Sequence, residues 1–225
     1  MLFLAVFCGF LAEWQLEHKI EKDRGKQYIY TLAEDLKMDT AALNLILRVR
    51  TRRIEMLDSL SLLLYATDNN EHLPYLYFFS RHLSRLAPIT FTYNDRTIQQ
   101  LKNSGGLRLI WNQVVSDSII LYDSRVRYIE KSQEREEGYI RDCLPYGYKI
   151  FDSRIYDKML DDNNNIHVPA GYPVLLQPTI ENINAFNASL HPVKSINKAN
   201  RIFSIQLYNK AVNLLATLKE EYHLK

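Results

Sequence analysis

Asn103–Ile129 reads NSGGLRLIWNQVVSDSIILYDSRVRYI, and the rest of the chain is organised around it. Ser104, Gly105 and Gly106 are the strongest backbone break in the sequence, where a preceding helix is expected to stop. Beyond the break, Val115, Ile119, Tyr122, Val126 and Ile129 recur at spacings of 4, 3, 4 and 3. That period puts them on one helix face, with Asn112 as the N-cap. The stripe is expected to be buried, with the other helices packed on it. Arg108 lies among apolar neighbours. Its guanidinium is expected to hold the carbonyls that end the preceding helix or to pair with a carboxylate. Trp111 beside it is expected as a core anchor.

Of the 225 residues, 47% are hydrophobic and 24% charged, enough for a sizeable core in one large or two small domains. Seven glycines and seven prolines are few, which favours long helices over phosphate loops and tightly turned sheets. A net charge of +2 makes no electrostatic case for nucleic acid. Fifteen tyrosines suit helix interfaces and membrane margins, since each buries an apolar body and keeps one end wet. Cys8 and Cys143 are not expected to form a disulfide, because Cys8 sits in an apolar N-terminal run.

That run, Leu2 to Ala12, carries no charge. As a helix it spans roughly 17 Å against about 30 Å of hydrocarbon, too short to cross alone. Two readings follow: the second half of a transmembrane helix, which is the expectation, or an apolar helix end buried in protein. Glu13 and Trp14 then mark the membrane boundary. Residues 1–14 are taken as a partial transmembrane or apolar segment and 15–225 as one helical domain.

From Glu13 to Tyr65 there is no proline and one glycine, Gly25, so one long helix is expected, loosened at Gly25. Thr67–Asn70 ends it, and Asp68, Asn69 or Asn70 caps a second helix over His72–Leu86, with Pro74 in its first turn. Asn94 or Asp95 caps a short helix carrying Ile98 and Leu101. The stripe helix is expected to stop at Gly138, and its charged stretch Glu130–Glu137 to be a solvated face. Tyr139–Asn187 holds four of the seven prolines and is expected to be irregular, with a short helix within Phe151–Leu160. Val174–Leu176 is read as a short strand or an apolar loop. Ser195 caps a last helix with Ile196, Phe203, Leu207, Ala211, Leu214 and Leu218 as its stripe.

Three stretches together resemble a known family. They are Phe3–Trp14, ending Ala-Glu-Trp; Leu101–Ile110, LKNSGGLRLI; and Leu218–Tyr222, LKEEY. The chain is similar over nearly its whole length to a bacterial family of uncharacterised single-pass membrane proteins, a domain of unknown function with an LKNSG-type block. In that family the membrane helix is complete and follows charged residues, whereas this chain starts inside it. The resemblance implies a single-pass anchor in the cell membrane and an extracytoplasmic, periplasmic helical domain. It implies no catalytic residues.

The residues themselves offer no chemistry. The six histidines have no metal-ligand spacing, and no P-loop, GxGxxG or GxSxG occurs. Asp161–Asn165, DDNNN, lacks the glycine and closing glutamate of a calcium loop. Glu13, Glu17 and Glu21 are read as a solvated face. No catalytic, cofactor or metal residue is assigned, and no cofactor is expected.

The expected fold is all-α: a helical bundle whose very long N-terminal helix continues from a truncated membrane segment, with an irregular segment, about 139–187, before the C-terminal helix. The expected function is a non-enzymatic interaction or scaffold module at the bilayer. Its partner is another envelope protein or a second copy, paired through the seven-residue spacing of Leu36 and Leu43 and then Leu47 and Ile54. The alternative is an extracytoplasmic ligand-sensing domain with a pocket under residues 139–178.

Overall fold

The computed structural model describes residues 2–66 and 70–224, with side chains from Val6 onward. The protein is all-α. Among the described residues six α-helices follow one another: α1 (Leu2–Leu63), α2 (Leu73–Ser84), α3 (Arg96–Asn103), α4 (Gln113–Gly147), α5 (Ser153–Lys158) and α6 (Ile180–Tyr222). Single 3-10 turns cover Asn70–His72 and Gly106–Leu109. The sole β pairing among the described residues is an isolated bridge between Leu160 and Ile166, so Val174–Leu176 is a loop.

Contacts group the chain into two compact units. Unit 1 comprises Met1–Asn44, Thr92–Arg127 and Ile205–Lys225; unit 2 comprises Leu45–Phe91 and Tyr128–Ser204. Unit 1 buries Ile29, Leu32, Leu36 and Leu43 of α1, Ile98 and Leu101 of α3, and Leu207, Ala211, Leu214 and Leu218 of α6. Val115, Ile119, Tyr122 and Val126 of α4 are at most 2% exposed there, and Ile129 is as deeply buried in unit 2. Each such apolar side chain contributes roughly 1.5–3 kcal/mol by leaving water. Leu36 and Leu43 are thus consumed by the protein's own packing and offer no stripe to a second copy.

The N-terminus of α3 is held by α1 rather than by its own cap. Asp95 occupies the N-cap position without a side-chain cap bond. Instead the Asp35 carboxylate accepts from the Thr97 backbone N–H (3.3 Å), the Thr97 hydroxyl and Arg96 (3.0 Å). One turn on, Asp39 Oδ1 accepts from the backbone and side chain of Asn94 (2.9 and 2.7 Å), and its Oδ2 from the Tyr122 hydroxyl (2.7 Å). Negative charge at a helix N-terminus is favourable, since the first N–H groups lack intrahelical partners. Burial pushes the Asp39 carboxyl above its ordinary value, against the hydrogen bonds of Tyr122 and Asn94. Burial, with Asp39 opposite, likewise pushes the Tyr122 phenol up.

At its other end α3 stops at Ser104, and Gly105 takes the left-handed conformation, φ 65°. Only glycine adopts this without strain, and such a residue is a common helix terminator. Asn112 caps α4 through its side-chain oxygen, which accepts from the Val115 N–H at 3.2 Å.

Several expected boundaries are corrected. α1 does not loosen at Gly25. It runs straight through, and Gly25 is buried because the Leu109 backbone crosses there; a Cβ would lie 2.6 Å from the Leu109 carbonyl oxygen. α2 starts after the 3-10 turn, with His72 at its N-cap and no side-chain cap bond. Thr67, Asp68 and Asn69, expected to end α1 and to cap α2, lie outside the described residues. α4 continues past Gly138 to Gly147, and α6 begins at Ile180 rather than Ser195 with Pro192 inside it. Thr179 caps α6, its hydroxyl accepting from the Asn182 N–H. A glycine costs a helix about 1 kcal/mol and a proline about 3. Burial of Ile140 and Cys143 after Gly138, and of Ile183, Phe186 and Leu190 before Pro192, outweighs both. The irregular segment therefore shrinks to Tyr148–Thr179, with α5 inside it.

Gly25→Ala separates propensity from packing. On an exposed helix face it would stabilise by up to about 1 kcal/mol. Here the close approach of Leu109 makes it destabilising by about 1–3 kcal/mol, read as a lower urea midpoint with an unchanged slope. An unchanged or raised midpoint would contradict the contact.

Candidate functional site

Two places gather polar or unusual side chains, one inside unit 2 and one on the surface of unit 1. The first begins with Arg50. Along α1, Ile29, Leu36, Leu43, Arg50 and Leu57, and Leu64 just past its end, recur every seven residues, and all are at most 1% exposed. Arg50 therefore stands where the pattern calls for leucine. α4 and α6 carry matching polar positions: Ser132, Gln133 and Glu136 on one, Asn197, Asn200 and Ser204 on the other, all buried.

These groups bond to one another, and among the described residues only the Arg50 Nε–H of the cluster is left without a partner. Arg50 donates to Glu136 Oε2 (2.8 Å), to Asn197 Oδ1 (3.3 Å) and to the Ile89 carbonyl (2.8 Å). Glu136 Oε2 also accepts from Asn200 (2.8 Å), and its Oε1 accepts from Arg53 (2.8 Å). Arg53 donates in turn to the Ala87 carbonyl, and Ser132 to Asn200. Burial pulls the Arg53 guanidinium below its ordinary value, against the attraction of Glu136. Gln133 accepts from the Phe91 N–H. The expected solvated face over Glu130–Glu137 is thus corrected at Glu136, which is fully enclosed because the 4-and-3 spacing of the stripe continues through it. Arg50 and Glu136 are sealed from water, so this cluster admits no substrate. Its chemistry is that of a buried ion pair.

The remaining polar places of unit 2 are also structural. Tyr77 donates to the Val174 carbonyl (2.8 Å) and accepts from the Asp152 N–H, and Tyr156 donates to Ser80. Their rings pack on each other and on Phe151, with centroids 5.2–6.0 Å apart. In DDNNN, Asp161 accepts from the Asn163 and Asn165 backbone, the Asn165 side chain and His167. Those bonds, His167 first, hold the Asp161 carboxyl well below the usual carboxylate range. The carboxylate closes its own loop. Among the described residues no group of three His, Cys, Asp or Glu is placed to hold a metal.

The surface site lies at the start of α1. Every residue from Val6 to Ile20 is exposed, including Glu13 and Trp14, with Val6 at 67% and Phe10 at 66%. This part of α1 is helical yet buries no face in the protein. Trp14 stacks on His18, ring centroids 4.8 Å apart. His18 then opens a cleft of about 730 Å³. Its walls are α1 (Glu21, Lys22, Lys26), the segment before α4 (Arg108, Leu109, Trp111) and the end of α6 (Glu221, Tyr222, His223). Arg108 pairs with Glu21 at 3.1 Å on the surface, the carboxylate partner expected of it, and makes no bond to the end of α3. Asn112 donates to Glu221 at 2.8 Å.

Trp111 is not a core anchor. It is 69% exposed and meets only the edge of the cleft, 5.7 Å from Tyr222. Ile110, in extended conformation, takes the buried position, and the next side chain of an extended run points the other way. Neither protein-family models, nor curated proteins, nor solved structures give a match to this chain.

Glu136→Gln strands two guanidinium groups and is expected to destabilise by about 3–5 kcal/mol in urea unfolding. Adding Arg50→Met should recover a substantial part of that loss; a double variant as unstable as the single one would show that the two residues do not act as a pair. At Asp161 a depressed value stabilises the loop above the ordinary Asp range near 3.9, and this is lost as pH falls. Asp161 should titrate below that range by NMR and move up in His167→Ala; no movement would remove the His167 bond as the cause.

Proposed function

We propose that this protein is a membrane-associated, non-enzymatic helical interaction module, held at a lipid bilayer by the first turns of α1. One observation carries the reading: Val6, Phe10, Leu11, Trp14 and Leu16 are large, apolar and exposed on a helix that buries no face there. Large exposed apolar patches mark membrane or protein contacts. Glu13 and Trp14 end the uncharged run, and tryptophan favours the interface between hydrocarbon and water.

Among the described residues no helix is long and apolar enough to cross a membrane. As a helix the apolar turns cover about half the hydrocarbon depth, and they anchor the chain by entering the layer. The resemblance to single-pass proteins with a helical domain outside the cytoplasm supports attachment to the membrane through this part of α1. The sealed polar cluster of unit 2 and the self-closed Asp161 loop favour a binding role over catalysis.

Flotation of the full chain with neutral phosphatidylcholine vesicles tests the anchor. The protein should rise with the vesicles, and Phe10→Asp with Leu11→Asp should leave it in the dense fraction, since a charge in the hydrocarbon costs about 2.5–3.5 kcal/mol. Wild-type protein that stays in the dense fraction, or a double variant that floats equally well, would refute it.

A further inference from the structure

We infer that the cleft beside the start of α1 seats the headgroup of an anionic phospholipid, with Trp111 as a second interfacial anchor next to Trp14. The inference rests on the membrane reading above and assigns the lipid class and the residues that meet it. The chain has two tryptophans, and both are at least half exposed, Trp14 at 50% and Trp111 at 69%. Tryptophan is ordinarily well covered in a folded protein, and the water–lipid boundary is a place where an uncovered indole is favourable. Both belong to the same end of unit 1: Trp14 stacks on His18, and His18 and Trp111 share the cleft. Val114, three residues beyond Trp111, is also uncovered, at 67%.

Charge selects the lipid. In the cleft, Arg108 and Glu21 neutralise each other, and Glu221, which accepts from Asn112, keeps its charge, so Lys22 and Lys26 leave an excess of one positive charge. Lys22 and Lys26 form no ion pair among the described residues. They are one turn apart on α1, so both ammonium groups sit on one face. Helix side chains lean toward the helix N-terminus, which aims both lysines back along α1 toward Trp14 and the apolar turns. Lys22 starts about 12 Å beyond Trp14 along the axis, close to one Debye length, and its long stem shortens that distance. A phosphodiester at the level of the indoles is the anion these groups are placed to meet. Open on one side and bordered by exposed indoles, the cleft suits a headgroup still attached to its acyl chains better than a free phosphoester.

Two single-tryptophan variants test this, since each leaves one reporter: Trp14→Phe retains Trp111, and Trp111→Phe retains Trp14. Full-chain protein is titrated with phosphatidylcholine vesicles and with vesicles also containing phosphatidylglycerol, each carrying lipids brominated near the headgroup. Trp111 emission should shift to the blue and be quenched, and anionic vesicles should bind at least about tenfold tighter. Lys22→Gln with Lys26→Gln should remove that ratio, about fivefold per lysine, while binding to neutral vesicles stays unchanged. If Trp14 is quenched but Trp111 is not, or the anionic preference survives both lysine changes, the cleft assignment falls and the anchor stands. If neither indole is quenched, the anchor falls and the cleft assignment with it. A blue shift of Trp111 with soluble glycerol phosphate alone would assign the cleft to a free phosphoester and overturn the lipid.

Discussion

A guanidinium without water around it must find its partners inside the protein, and Arg50 sets that requirement for unit 2 through its two terminal nitrogens, its Nε–H staying unpaired. Its donors reach Glu136 on α4, Asn197 on α6 and the carbonyl of Ile89. Glu136 in turn needs Arg53 and Asn200. None of these partners tolerates a slide of one helix past another: one turn of displacement would strand a charge. A pure leucine seam would hold the same three helices at several registers with similar energy. We take the ion pair as the element that selects one. It is not a large source of stability, because desolvating two charges offsets most of their attraction. The apolar cluster that includes Leu57, Leu60, Tyr77, Phe151, Phe186 and Leu190 supplies the driving force in the same unit.

Unit 1 uses a milder version of the same device. Asp35 and Asp39 stand one turn apart on α1 and receive the Thr97 N–H in the first turn of α3, the Asn94 N–H just before it and the hydroxyl of Tyr122. α3 has only eight residues, too few to be stable alone, so its position is decided by those carboxylates and by buried Ile98 and Leu101. At the far end of α3 the chain turns through Gly105 and brings Leu109 against Gly25. That approach also fixes what stays outside. Ile110 turns inward, Trp111 is left at the cleft, and Arg108 meets Glu21 rather than the end of α3.

Much of the fold was legible before any contact was known. A very long N-terminal α1 (though not its unbroken passage through Gly25), the stripe from Val115 to Ile129, the Asn112 cap and the stop at Ser104–Gly105 all follow from spacing and backbone preference. These are local signals: period, caps and left-handed glycine act within one helix turn. Helix ends at Gly138 and Ser195 misled for the same reason. A lone glycine or proline is a local penalty, and burial of residues on either side outweighs it. The candidate surface was half legible: the apolar run and Trp14 stood out, whereas the exposed Trp111 and the cleft did not.

The polar cluster of unit 2 left a signal that only a register kept strictly at seven reveals. Leu36 and Leu43 lead to Arg50, then Leu57 and Leu64; stepping instead to Leu47 and Ile54 hides the charged member. Even in register, an arginine in a leucine seam does not name its partner. Glu136 lies 86 residues away, and the stripe spacing that runs on through it places it on the buried face without saying which cation it meets there. The sequence by itself determined where helices run and which face of each is apolar, because both depend on neighbours within about four residues. Tertiary structure alone decided which charges were buried together and that Trp111 stayed in the open beside Trp14, because desolvation and pairing depend on groups that meet only once the helices have packed.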